Sequence, residues 1–129
     1  MSRTFSATAV ATVPVMRWTA RALAALLALF WGAFLVEHLV QWVFPRGGLP
    51  SGVVLLMLAH AALVAGLAAL WRWEIAGSLV VMVASVVFFS QTAGGMFIPF
   101  AVVTSLPALL MLVCAAAERG AAGRGRMTR

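Results

Sequence analysis

Four long apolar runs, each closed by turn-forming or charged residues, constrain this chain more than any other feature. Each holds on the order of 18 to 25 residues, and at about 1.5 Å of helical rise per residue each reaches across a hydrocarbon layer about 30 Å thick. The runs are continuous and rich in Ala and Leu instead of alternating, which predicts helices and not barrel strands. In hydrocarbon the backbone has no water to bond, and a helix satisfies its polar groups within one segment. A chain of 129 residues, 64% apolar and 9% charged, is also too apolar for the soluble norm of roughly half and a quarter, and forms one domain at most.

Punctuation along the chain divides it. Residues 1–16 are small and polar, contain Pro14 and lack the apolar core of a cleavable signal peptide, so they are expected to be a disordered tail. The bundle is expected over 17–118. Its first span, 18–43, starts behind Arg17 and Arg21 and is stopped by Phe44-Pro45-Arg46-Gly47-Gly48-Leu49-Pro50. The second, 52–71, and third, 75–92, meet at the tight Trp71-Arg72-Trp73-Glu74 corner, and Gly94-Gly95 turns the chain into the fourth, 96–117. Residues 119–129 form a basic tail. Short connections make neighbouring helices antiparallel, so the expected fold class is all-α, a four-helix up-and-down transmembrane bundle.

Charge placement orients it. All nine basic residues are Arg. With the amino terminus inside, Arg3, Arg17, Arg21, Arg72, Arg119, Arg124, Arg126 and Arg129 are cytoplasmic and Arg46 alone is outside, an N-in/C-in arrangement by the positive-inside rule. The predicted location is a bacterial inner membrane, with the lipid bilayer as the main partner. The net charge of +6 comes from short flanks with no soluble domain to organise them, which argues against nucleic acid.

The residue inventory narrows the chemistry. Lys, Asp, Asn and Tyr are absent, so no Ser-His-Asp triad, Lys Schiff base or Asp-rich metal loop can be written. The single cysteine, Cys114, excludes an internal disulfide and reads as a packed thiol. Too little lies outside the spans to build a catalytic domain, so no enzyme is expected.

Ionisable groups within a span cost roughly 2.5 to 3.5 kcal/mol each when charged at its centre, which makes each a candidate site. Glu37, His38 and Gln41 occupy an arc of about 100° on the first helix, expected to face the bundle. His60 on the second helix falls near the depth of His38, so the imidazoles are expected to meet, with Ser85, Gln91, Thr104 and Ser105 contributing to one polar pocket. Three uses compete. The favoured one is interhelical hydrogen bonding among a protonated Glu37, His38, His60 and Gln41. A cofactor site is the second, with His38 and His60 ligating haem, or Glu37, His38 and His60, with Met57, around a transition metal. A proton or small-solute path through Glu37 and His38 is the third. At the corner, Arg72 and Glu74 are expected to form a partial ion pair beside Trp73, as an interfacial anchor or a patch for a lipid headgroup or partner.

The Arg-Trp-Thr-Ala-Arg start, Glu37-His38, His60, the Trp71-Arg72-Trp73-Glu74-x-x-Gly77 corner and the Phe88-Phe89 pair together resemble a family of small four-helix bacterial membrane proteins of unknown function. That resemblance spans Trp18 to Glu118 and implies the fold without implying an activity. A looser similarity to four-helix proteins of the DoxX type rests on architecture alone. The expected role is that of a structural or accessory protein that self-associates or docks to a larger membrane partner.

Overall fold

The computed structural model describes residues 4–43, 45 and 50–127, with side chains described over 12–42, 45 and 50–123. Four α-helices account for most of them: α1 (Thr4–His38), α2 (Ser51–Ala69), α3 (Glu74–Thr92) and α4 (Phe97–Met127). A π-helical segment, Leu39–Val43, extends α1, and a 3-10 turn, Gly94–Met96, leads into α4. All four helices are long and apolar enough to cross a membrane.

Each helix packs against its neighbour in sequence, and α4 closes back on α1, so the bundle is a ring of four. Its core is layered by side-chain size. Ala20 and Ala24 of α1 and Leu67 and Leu70 of the second helix and its corner are fully buried toward one end, while Phe88 and Phe89 of α3 fill the other. The outside is apolar as well: Leu26, Leu29, Leu55, Leu58, Val83 and Val103 are each more than half exposed. Exposed apolar side chains of this kind lie on all four helices.

The helices α2 and α3 meet most closely at Gly66 and Gly77. A Cβ built on Gly77 falls 2.8 Å from the backbone nitrogen of Leu70 and 3.1 Å from the Gly66 carbonyl oxygen, so only hydrogen fits there. Around it the corner is sewn by backbone bonds, with Trp73 N–H donating to the Ala69 carbonyl at 2.8 Å and Gly77 N–H to the Trp73 carbonyl at 2.7 Å. This explains why a Trp-Arg-Trp-Glu corner is followed by glycine three residues on: without a side chain, α3 folds directly against the end of α2.

Two boundaries differ from the sequence reading. The segment 1–16 is not irregular where it is described, because α1 runs from Thr4 through Pro14 without interruption. Likewise α4 continues past Ala117 and Gly120 to Met127, through most of the expected basic tail. Hydropathy marks where an apolar environment ends; it does not mark where a helix ends, and here the helix carries on through Pro14 in α1 and Gly120, Gly123 and Gly125 in α4. The central elements keep the expected limits within about two residues. Pro107 lies buried within α4. Arg46 and most of the loop around it lie outside the described residues.

Candidate functional site

The polar side chains gather in three places. The first surrounds His60, on the inward face of α2 with Met57 and Leu63 and wholly buried. Its Nε2–H donates to the carbonyl oxygen of Trp31 at 2.9 Å, a bond from α2 to α1. A carbonyl only accepts, so the proton sits on Nε2 and leaves Nδ1 as a lone-pair acceptor. That Nδ1 is buried and has no hydrogen-bond partner among the described residues. His38, half-buried, donates Nδ1–H to the Phe34 carbonyl one turn back at 2.6 Å, which by the same logic leaves its Nε2 as the acceptor. The imidazoles meet edge to face with centroids 5.8 Å apart, as their shared depth predicts.

Aromatic rings enclose this pair. The His60 ring lies 4.5 Å from Phe88, and Trp31 sits within 6.4 Å of His60, Phe88, Phe89 and Phe100, touching every other helix of the bundle. Phe89 and Phe100 stack at 5.7 Å and tie α3 to α4.

Glu37 and Gln41 stand apart from this centre, contrary to the expectation that their arc faces the bundle. Both are exposed, and Gln41 Nε2–H donates to Glu37 Oε1 at 3.0 Å on the helix exterior. The arc was right and its direction was not. Ala20, Ala24, Trp31 and His38 lie within about 40° of one another on α1, and Glu37 is about 100° from His38. Only the His38 edge of the arc therefore turns inward. Among the described residues no group of three or more His, Cys, Asp and Glu side chains gathers to hold a metal, so the Glu37, His38 and His60 set is not assembled. Of the relay pair, Glu37 bonds Gln41 and His38 bonds the Phe34 carbonyl. Haem ligation by His38 and His60 fits no better: a porphyrin between the rings needs the space that Phe88 and Trp31 fill around a wholly buried His60.

The second cluster joins α3 to α4. Ser85 and Ser105 hydroxyls share a hydrogen bond of 2.9 Å, and Ser78 Oγ–H is shared between the Glu74 carbonyl on its own helix at 2.6 Å and the Ala108 carbonyl on α4 at 3.1 Å. Thr104 is buried and Gln91 is exposed. The residues of the single pocket expected from all four helices are thus divided between the histidine pair and separate serine contacts of α3 with α4.

The third cluster lies at the end where α1 and α3 begin and α4 approaches its finish. Arg17 of α1 places Nε 2.9 Å from Glu74 Oε1 and donates Nη2–H to Glu118 Oε2 at 2.9 Å, and Arg21 donates Nη2–H to Glu74 Oε1 at 3.2 Å. The Arg17 Nε approach is too poorly aligned to be a hydrogen bond and acts as an ion contact. Arg21 also covers Trp18 at 5.6 Å, and Trp18 meets Trp71 edge-on at 6.3 Å. The expected pair of Arg72 with Glu74 does not form. Glu74 shares the inward face of α3 with Gly77, Ser78 and Val81, which directs its carboxylate to the α1 arginines, whereas Arg72 and Trp73 stay exposed in the corner.

Arg17, Arg21, Glu118 and Trp31 are the residues that sequence reasoning left without a site role. A signal existed: Arg17 and Arg21 are one turn apart on the stripe that carries Ala20 and Ala24, and small residues on a helix mark its packed side. Cys114, expected as a packed thiol, is wholly buried, its Sγ 3.9 Å from the Val13 carbonyl of α1.

The profile of a family described as a domain of unknown function (DUF7670) matches residues 8–122, nearly the whole chain, and the chain belongs to that family. No curated protein and no solved structure is matched by it.

Proposed function

We propose that this member of the DUF7670 family is a four-span protein of a bacterial inner membrane, both termini cytoplasmic, serving as a non-enzymatic accessory component whose intramembrane polar residues lock its own helices. The apolar exterior on every helix supports the membrane setting. The placement of eight arginines against Arg46 supports the orientation. One observation carries the structural role: the buried His60, Ser78 and Ser85 each spend a hydrogen bond on a neighbouring helix, to Trp31, Ala108 and Ser105. Side chains used as interhelical bonds in hydrocarbon are worth about 0.6 to 2 kcal/mol each. An accessory component of this kind acts through its surface, by self-association or by docking to a larger membrane partner.

A second reading rests on the histidine tautomers. His38 and His60 each commit their N–H to a backbone carbonyl and keep the other nitrogen as a free lone pair, the arrangement that orients imidazole ligands of metals. Two such nitrogens are of the donor type that a soft or borderline transition ion takes.

Purification in mild detergent, with metal analysis and a visible spectrum of the wild type, His38→Ala and His60→Ala, separates the two. The structural role expects no stoichiometric metal and no Soret band, and a clear loss of thermal stability in His60→Ala through the cavity and the lost Trp31 bond. Stoichiometric metal that disappears in both variants would replace it with the second reading.

A further inference from the structure

A cleft of about 690 Å³ opens on the side of the bundle at the arginine end, between the start of α3 and the last turns of α4. Much of its lining is apolar, from Ile75, Ala76, Ala115 and Ala122, and exposed Arg72, Trp73 and Arg119 line it as well. Glu74 and Glu118 also reach the cleft. Their charges are already met from within the bundle, Glu74 by Arg17 and Arg21 and Glu118 by Arg17. Arg72 and Arg119, both exposed, pair with no carboxylate among the described residues. Among the described side chains, four arginines against two glutamates leave this end with positive charge on the two that line the cleft.

We propose that the cleft binds the headgroup of an anionic phospholipid, with the phosphate between Arg72 and Arg119 and the glycerol and first acyl carbons against the Ile75, Ala76 and Ala115 lining. The chemistry favours lipid over a free anion. Guanidinium groups donate in a planar fork that suits phosphate oxygens, but an apolar lining adds nothing for inorganic phosphate. It matches a ligand that is charged at one end and apolar at the other. Exposed Trp73 supplies the amphipathic ring that settles at the level of headgroups. The proposal rests on the membrane reading above, since the cleft meets the cytoplasmic leaflet, where anionic lipids lie, only in that orientation.

Native mass spectrometry of the full chain in detergent, titrated separately with phosphatidylglycerol and phosphatidylcholine, tests it. One phosphatidylglycerol is expected to bind in preference to phosphatidylcholine. The Arg72→Gln/Arg119→Gln double variant is expected to bind it on the order of tenfold more weakly, with an unchanged circular dichroism spectrum and melting temperature. The charge-matched Arg124→Gln/Arg126→Gln variant, changed further along α4, is expected to stay within about twofold of wild type. Equal binding of both lipids, unaltered binding in the first variant, or equal losses in both variants would overturn the site. Displacement of the lipid by millimolar inorganic phosphate would also overturn it, as a plain anion site. A chain that stays in solution without detergent refutes the membrane reading itself, whereas a micelle-embedded chain with no lipid preference refutes the cleft alone.

Discussion

A methyl group is the smallest change that measures how closely α2 and α3 meet. At Gly77 the added carbon must displace backbone atoms of Leu70, Ala69 and Gly66, which have no rotamer to move into. Gly77→Ala is therefore expected to cost about 1 to 3 kcal/mol by overpacking, read as a lower melting temperature in detergent. Gly52→Ala, where a Cβ meets nothing within 4 Å, is expected to leave that temperature within a degree or two or to raise it slightly. Equal effects at the two glycines would mean that the corner is not the tight contact described. Some of this detail was legible in advance. The matching depths of His38 and His60 announced their meeting. Glu37 was misjudged because period fixes the angle between side chains on a helix but not which of them turns to the partner. That choice is made by Trp31, whose contacts reach α2, α3 and α4 and fix the rotation of α1.

Among the elements, α1 is held at its arginine end by three charged contacts, and Arg17 makes two of them. The Arg17 and Glu74 side chains are less than a quarter exposed, so removing the guanidinium leaves Glu74 partly desolvated with Arg21 as its remaining partner. The chain supplies its own reporter of the outcome. Cys114, its single cysteine, lies buried on α4 against Val13 of α1. In micelles a maleimide is expected to label Cys114 very slowly in the wild type and at least several-fold faster in Arg17→Gln, where α1 loosens from α4. Unchanged labelling in that variant would show that packing of Ala20 and Ala24 alone holds α1 in place. Element limits were easiest to foresee where turn residues bound a helix, as at Pro50 before α2 and Gly94 after α3, the latter at φ 52°. They were hardest to foresee at the outer ends of α1 and α4, where hydropathy falls away and Pro14, Gly120, Gly123 and Gly125 argue against helix, yet the helix runs through them.

At the scale of the whole molecule, the ring of four helices brings the start of α1 beside the end of α4, as the Arg17–Glu118 contact records. In the four-span reading both termini lie in the cytoplasm. Fusions of a fluorescent protein that folds only in the cytoplasm are expected to be bright at either terminus. Alkaline phosphatase fused after Gly48 is expected to be active, and activity at a terminus instead would reverse the orientation. The closure of this ring also has a temporal meaning. Arg17 is separated from Glu118 by 101 residues and Arg21 from Glu74 by 53, so α1 gains its first charged partner only when α3 begins and its second only in the later turns of α4. During translation the first helix therefore waits with its arginines held by water or lipid phosphate, and a nascent chain halted before Glu118 lacks the contact that fastens first to last.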